Sequence, residues 1–394
     1  MALGRLPGLA IDRTGIAILA VVGLLVAGAL PGPILRTAID APTLAILFGL
    51  MILSAQFVLA GFYDWCAASI AAAARSPAVL LALTIAVAGG LSALLANDIV
   101  VFAMTPLLCR GIVRRGLDPR PFLIGLASAS NAGSAATIMG NPQNILISQS
   151  GDLDFWGFLL ACGPPAMVAL LICFLVTRWV WRDALAMPDR PVTEEAPPPL
   201  DRRQALKGAV AALALIVAFA AGAPHALAAL LVASLLMISR RYATRRMMAQ
   251  VDWPLLVLFA ALFLVNAAFG ETGYAAGALD WLGREGWLPE SLSVLAPLTL
   301  VASNTVGNVP AVILLLSLWQ SPPEGALYGL ALLSTLAGNL LLIGSVANII
   351  VAERAAALGV RLGFLDHARC GVPIALLSMG IAMLWLWAGG WMPF

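Results

Sequence analysis

The fold is decided by two stretches, SNAGSAATIMGNPQN at residues 130–144 and STLAGNLLLIGSVAN at residues 334–348. Each lies inside an apolar run of membrane-span length and interrupts it with polar and glycine residues. At one offset of 204 residues, Gly140 aligns with Gly344. Backbone that leaves a helix inside a bilayer is tolerated only where it is buried in protein or lines a cavity. The pair therefore predicts one broken transmembrane helix in each half of the chain.

The composition excludes most water-soluble classes of protein. Of 394 residues, 61% are apolar and 11% are charged, whereas soluble domains carry about 25% charged residues. A soluble enzyme, a disordered protein and a nucleic-acid binder are thereby excluded. The net charge of +2 does not indicate a particular binding partner. The five scattered cysteines are expected to be small buried hydrophobic residues. We predict an all-α polytopic membrane protein that is not an enzyme.

The positions of the basic residues predict the topology. Arginine clusters follow residues 109, 177, 239 and 353, and such loops face the cytoplasm under the positive-inside rule. All of these loops can face the cytoplasm only if two pairs of apolar runs form re-entrant hairpins. The first hairpin then enters the membrane from the cytoplasm and the second from outside. The predicted spans are residues 14–30, 42–62, 121–150, 155–180, 205–222, 225–239, 254–269, 325–351 and 371–387.

The two hairpins are predicted as pairs of apolar runs around a polar tip. The first tip is Ala96-Asn97-Asp98, between runs at 77–96 and 99–109, and the second is Ser303-Asn304-Thr305, between half-length runs. Short interfacial segments are predicted at 65–75 and 271–290.

The order of these elements occurs twice, in opposite orientations. It predicts an N-terminal inverted repeat at residues 1–181, a cytoplasmic linker and linking span at 182–222, and a C-terminal inverted repeat at 223–394. Inverted repeats with broken helices are typical of secondary transporters, which bind substrate and ions near the membrane midplane.

The predicted tips carry groups that bind ions. Free carbonyls, hydroxyls and asparagine oxygens suit a small cation, while helix N-termini suit an anion. Asp98 is an intramembrane carboxylate, which is by default a functional residue. It could carry a proton, ligate a cation, or be a structural aspartate bonded to backbone N–H groups. No GxxxxGK[ST] motif occurs, so coupling to an ion gradient or to a separate subunit is expected.

Four motifs resemble the ion transporter superfamily, which includes arsenite permeases, sodium/proton antiporters of the NhaD type, citrate permeases and divalent anion/sodium symporters. The Asn-Asp tip is similar to that of the arsenite-permease and antiporter branch. The motifs are LLANDIVVFAMTPLL at 94–108, ASNAGSAATIMGNPQNILI at 129–147, SNTVGNVPAVILLLS at 303–317 and AGNLLLIGSVANIIVAE at 337–353.

The resemblance implies two clusters of substrate- or ion-binding residues, with sodium at the hairpin tips as one option and no resident metal. The first tip carries aspartate where dicarboxylate symporters carry Ser-Asn-Thr, which argues against a dicarboxylate carrier with two sodium sites. Together with polar neighbours in the broken helices, the clusters are Asn97, Asp98, Asn131, Ser134, Thr137, Gly140, Asn141 and Asn144, and Ser303, Asn304, Thr305, Asn308, Asn339, Gly344, Ser345 and Asn348.

The leading hypothesis is a secondary transporter in a bacterial inner membrane that moves a small anion or a metalloid oxyacid such as arsenite or antimonite. Protons or sodium would be the coupling ion, with no other cofactor. The partners would be this substrate and the lipid bilayer, with a homodimer as one assembly and no nucleic acid. Neutral arsenous acid would suit a pocket without arginine or lysine. The alternatives are a sodium/proton antiporter, for which Asp98 would be the shared carboxylate, and a channel or non-transporting subunit.

Overall fold

A computed structural model describes residues 11–73, 76–186, 199–272, 277, 289–319 and 321–394. Within these ranges the regular structure is entirely helical, so the predicted all-α fold class is confirmed. The proline-rich part of the predicted linker, at 187–198, lies outside the described residues. So does most of the predicted interfacial segment at 271–290.

Six of the described helices are long and apolar enough to cross a membrane. One of them, Pro77–Leu94, is the first arm of the first hairpin, which was predicted to turn back inside the membrane. The six are Ala41–Leu59, Pro77–Leu94, Phe155–Val180, Arg202–Ala220, Trp253–Glu271 and Phe364–Ala388.

Two predicted spans form shorter helices than expected. Arg13–Val26 has 14 residues and His225–Met237 has 13, which at 1.5 Å per residue is about 20 Å against a hydrocarbon core of about 30 Å. The first ends before Gly28, whose φ of 73° is left-handed. Glycine takes up this conformation readily, so the turn at Gly28 cuts into the predicted span at 14–30. The second begins at His225 as predicted and ends two residues earlier than the predicted span, at Met237.

The first hairpin consists of Pro77–Leu94 and Asn97–Arg114, each of 18 residues. The second helix is longer than the apolar run predicted at 99–109, because it begins at Asn97 and continues past Cys109 to Arg114. The second hairpin consists of Leu292–Thr305 and Asn308–Leu318. Its turn is at Gly307, with φ of 95°, so Ser303-Asn304-Thr305 ends the first arm instead of forming the turn.

Both broken helices lie at the centre of the molecule. The first broken helix consists of Arg120–Ser134 and Pro142–Gly151, and every residue from 121 to 134 is buried. The second broken helix consists of Glu324–Ala337 and Val346–Ala356, with a 3-10 turn at Leu342–Gly344 between them. The first unwound segment lies inside the protein, whereas the second is buried at Gly344 and Ser345 and exposed at Ile343.

Contacts at the helix ends define two opposite ends of the bundle. At the Arg120 end, the Arg120 guanidinium lies 3.5 Å from Asp366 and 4.8 Å from the centre of the Trp181 ring. At the Pro393 end, the N–H of Leu292 donates to the carbonyl of Pro393 (2.9 Å). The first hairpin ends a few residues before Arg120 and the second begins at Leu292, so the hairpins enter the bundle from opposite ends.

The remaining described helices connect these elements. Phe62–Ala73 contains residues 65–73 of the predicted interfacial segment at 65–75. The others are Gly32–Thr37, Arg182–Leu185 and Thr244–Met248.

Candidate functional site

A cavity lies between the two hairpin tips and the two breaks. Its polar lining comes from both hairpins, both broken helices and the first helix of the chain. The polar residues are Arg13, Asn97, Asp98, Asn131, Gln143, Asn308 and Ser345. We call it the central cavity.

Four helices begin at the wall of the central cavity. They start at Asn97, Pro142, Asn308 and Val346, and each has at least ten residues. The N-terminus of a helix carries a partial positive charge and N–H groups without a helical partner. Four of them around one cavity form an electropositive environment that suits an anion.

The second break is held by Asn348, which is fully buried. Its Nδ2 donates to the carbonyls of Gly338 (2.8 Å) and Leu341 (3.2 Å), which the break leaves without helical partners. Its Oδ1 accepts from Nδ2 of Asn131 in the first broken helix (3.1 Å). The whole amide is therefore used inside the protein.

The first break is held in the same way by Asn144. Its Nδ2 donates to the carbonyls of Ser134 (3.0 Å) and Thr137 (2.9 Å), and its Oδ1 accepts from Oγ1 of Thr335 (3.4 Å). Asn144, Ser134 and Thr137 lie 204 positions before Asn348, Gly338 and Leu341, and Thr335 lies 204 positions after Asn131. Neither Asn144 nor Asn348 lines the central cavity, although both were expected to face the pocket. The reason is that both side-chain amides donate their hydrogen bonds to backbone carbonyls of the unwound segments.

The N-cap residues of the second half-helices, Asn141 and Ser345, also bond to the opposite broken helix. Oγ of Ser345 accepts from the N–H of Ala347 (3.2 Å) and donates to Oδ1 of Asn131 (2.8 Å). Asn141, at the equivalent position, donates from Nδ2 to Oγ1 of Thr335 (3.3 Å). Each broken helix therefore stabilises the break of the other.

The first hairpin is attached to the first break by backbone groups. The N–H of Asn97 donates to the carbonyl of Gly140 (3.2 Å), and Oγ of Ser130 donates to the carbonyl of Asn97 (3.3 Å). Oγ1 of Thr137 donates to the carbonyl of Ala93. A Cβ on Gly140 would overlap the backbone across the break, so this close approach requires glycine.

The second hairpin is attached to the second break by side chains. Oγ of Ser303 donates to the carbonyl of Ser334 (3.3 Å), and Nδ2 of Asn304 donates to the carbonyl of Ala337 (2.9 Å). The Asn304 Oδ1 lies against Gly344, where a Cβ would overlap it. The two hairpins therefore reach their breaks by different contacts.

Three amide oxygens at the hairpin tips are buried without a hydrogen-bond partner in the described structure: Oδ1 of Asn97, Asn304 and Asn308. Their residues are only 5%, 9% and 9% exposed. Since Nδ2 of Asn304 is fixed by two carbonyls, its oxygen must be the free atom. Buried acceptors of this kind suit a small cation or a ligand hydroxyl.

The central cavity holds one charged group of each sign among its described lining residues, Asp98 and Arg13. The expectation of a pocket without arginine or lysine was therefore wrong, because the first helix contributes Arg13 to the wall. Asp98 also lines a second cavity, together with Asn141 and Asp252. Within the described ranges, the Asp98 carboxylate has no hydrogen bond or ion pair, which leaves it available to an ion.

Thr305 is not brought into the site. It is exposed, and its Oγ1 donates to the carbonyls of Val301 (2.8 Å) and Ala302 (3.2 Å) in its own helix. It lies outside both cavities because the helix continues through it.

Asn339 lies behind the central cavity and links it to a residue that sequence reasoning missed, His367. Nδ2 of Asn131 donates to Oδ1 of Asn339 (2.9 Å), and the Asn339 carbonyl lies 3.0 Å from Nε2 of the fully buried His367. Gly371, one turn further on, lets the last helix approach the same carbonyl. A histidine followed by glycine four residues later was the available signal.

Six of the sixteen predicted residues line the central cavity: Asn97, Asp98, Asn131, Asn308, Gly344 and Ser345. Most of the others hold the breaks and tips in place. The pattern of polar interruptions missed two polar lining residues, Gln143 and Arg13. Gln143 lies within the motif at 129–147, whereas Arg13 lies outside all four motifs.

Comparison with known proteins agrees with this architecture. Residues 2–325 match the CitMHS family, described as a citrate transporter. The crystal structure of the YdaH transporter of Alcanivorax borkumensis superposes with a TM-score of 0.57 at 15% identity, covering 97% of this chain and 91% of that chain. This likeness shows the fold alone.

Relatives with similar sequences are transporters or membrane proteins of bacteria and eukaryotes. An uncharacterized transporter of Mycobacterium tuberculosis is 27% identical over 380 residues, covering 89% of this chain and 86% of its own. The silicon efflux transporter LSI3 of Oryza sativa subsp. japonica is 25% identical over 449 residues, covering 96% and 93%. The human P protein is 26% identical over 450 residues, covering 88% and 53%. The chain is therefore a multi-pass membrane transporter and not an enzyme.

Proposed function

The chain belongs to the CitMHS family of citrate transporters, and from this premise we propose that it is a secondary transporter of a small oxygen-rich anion or weak oxyacid. The substrate binds in the central cavity. Protons or sodium drive the transport. The two broken helices and two hairpins form a binding site that opens alternately to the two sides of the membrane.

The observation that carries this proposal is the convergence of four helix N-termini, beginning at Asn97, Pro142, Asn308 and Val346, on the central cavity. Their N–H groups and partial charges compensate negative oxygens without a lysine. The side chains of Asn131, Gln143 and Ser345 add neutral groups that orient a ligand.

Asp98 is the coupling residue in this proposal. A carboxylate inside the membrane is costly while charged, so binding of a proton or a sodium ion stabilises it. The buried, unpartnered oxygens of Asn97 and Asn308 lie at the same cavity and supply further ligands for a cation. Loading of the cation lowers the negative charge beside the cavity and favours entry of the anion.

The family name and the relatives give candidate substrates. Citrate follows from the family, and silicic acid follows from the rice silicon efflux transporter. Arsenite and antimonite follow from the Asn-Asp tip, whose resemblance to the arsenite-permease branch stays a prediction. A location in the bacterial inner membrane and assembly as a homodimer stay predictions as well.

A sodium/proton antiporter is the second candidate function. Asp252 lines the second cavity together with Asp98, so a second carboxylate lies where cation exchange would need one. In this case the protein would exchange sodium for protons and would transport no anion.

The test is transport by purified protein in proteoliposomes. Labelled citrate, phosphate, silicic acid analogues and arsenite are offered under imposed sodium or pH gradients. We expect one of these oxygen-rich substrates to accumulate only when a gradient is present. Sodium/proton exchange without movement of any oxyanion or oxyacid would favour the antiporter, and movement of neither would contradict both functions.

A further inference from the structure

Arg13 is held at the wall of the central cavity by the contacts of its own helix. Oδ1 of Asp12 caps this helix by accepting from the N–H of Gly15 (2.8 Å). Oγ1 of Thr14 donates to the carbonyl of Pro254 (3.2 Å), which fixes the helix against Trp253–Glu271. The position of Arg13 is therefore set by structured elements.

The side chain of Arg13 is partly buried at the wall of the central cavity. Among the residues that the structure describes, none forms a hydrogen bond or an ion pair with it. Leu255 and Leu258 contribute apolar surface to the same cavity, and among the described residues the negative charge of Glu353 also acts on Arg13. A partly desolvated guanidinium without a partner is costly, and its planar set of donors fits a carboxylate or phosphate in bidentate geometry.

We propose that Arg13 binds the anionic group of the substrate and makes the central cavity select charged acids over neutral ones. The inference rests on the proposed transport function, and it names the residue that determines specificity. The four helix N-termini supply donors that neutral and charged acids can both use. Arg13 is the one group among the described lining residues whose full positive charge distinguishes the two.

The experiment measures binding to purified wild type, Arg13→Gln, Arg13→Lys and Arg245→Gln. Arg245 is exposed on a short helix outside the cavity, so its variant is a matched control for the loss of one arginine. The probes are citrate and phosphate, which are anionic at pH 7, and boric acid and arsenous acid, which are neutral. Isothermal titration gives the dissociation constant of each.

We expect wild type to bind at least one of the two anions and Arg13→Gln to bind it at least tenfold more weakly, which corresponds to about 1.4 kcal/mol. Arg13→Lys keeps the charge and should lose less than about fivefold in affinity, while Arg245→Gln should match wild type. Any binding of a neutral acid should be unchanged by Arg13→Gln.

Equal anion affinity in wild type and Arg13→Gln would overturn the role of Arg13 and leave the transport function standing. Binding of neutral acids alone would do the same. If wild type binds neither class of probe, the proposed function fails and the role of Arg13 fails with it. As a ligand-free measurement, Arg13→Cys in a cysteine-free background should react with a water-soluble methanethiosulfonate, and an unreactive thiol would contradict its place at the cavity.

Discussion

Replacing Asn348 with alanine tests how the breaks are stabilised. The substitution removes two hydrogen bonds to the carbonyls of Gly338 and Leu341 and one from Asn131. No solvent reaches the position, since Asn348 is fully buried. The carbonyls of Gly338 and Leu341 and one N–H of Asn131 would therefore lose the Asn348 amide as a hydrogen-bond partner.

The magnitude follows from these three bonds. A side-chain hydrogen bond between membrane helices is worth about 0.6 kcal/mol on average and up to about 1.7, and a buried group left unsatisfied costs about 1–3 kcal/mol. We expect Asn348→Ala to lower the free energy of unfolding by about 2–5 kcal/mol. Asn144→Ala should have a similar effect, because Asn144 donates to the equivalent carbonyls of Ser134 and Thr137 and accepts from Thr335.

The assay is unfolding of the purified protein by sodium dodecyl sulfate in mixed micelles, followed by tryptophan fluorescence. Thr305→Ala is the control, because Thr305 is exposed and bonds only within its own helix, so a loss below about 0.5 kcal/mol is expected. A loss for Asn348→Ala as small as that of the control would refute the role of the amide in holding the break.

Three further predictions concern coupling, packing and topology. Asp98→Asn should abolish accumulation of substrate against its gradient while the amount of folded protein is unchanged; normal accumulation would make Asp98 structural. Gly140→Ala should cost about 1–3 kcal/mol of stability, because a Cβ there overlaps the backbone, whereas Gly90→Ala has open space around it and should be neutral. Cysteines at the exposed positions Arg114 and Pro323 should react with impermeant reagents from opposite membrane sides; reaction from one side would disprove the opposite entry of the hairpins.

The breaks could be predicted from the sequence because their determinants are local. Gly-Asn-Pro at residues 140–142 interrupts an apolar run, and proline favours the first position of a new helix. Asn348 was recognisable because it repeats Asn144 at the same offset. Its role as a bond donor to unwound carbonyls was less visible, because a pattern of residue types does not show which acceptors lie nearby.

Other parts of the site depend on packing between distant segments. Arg13 reaches the central cavity because its helix packs against Trp253–Glu271. The bond from Thr14 to Pro254 joins these two helices across 240 residues of sequence. Ser303-Asn304-Thr305 looked like a turn, but the helix continues to Thr305 and Gly307 makes the turn. A polar triplet inside an apolar run does not tell a helix end from a loop.

The most direct test of the central cavity is protection of a cysteine at Ser345 by the transported substrate. Ser345 lines the cavity, whereas Thr305 lies outside it, so Ser345→Cys and Thr305→Cys in a cysteine-free background form a matched pair. Labelling by a small methanethiosulfonate is measured with and without substrate at saturating concentration. We predict that substrate slows labelling at position 345 at least fivefold and leaves position 305 unchanged; equal rates at position 345 with and without substrate would contradict binding in the central cavity.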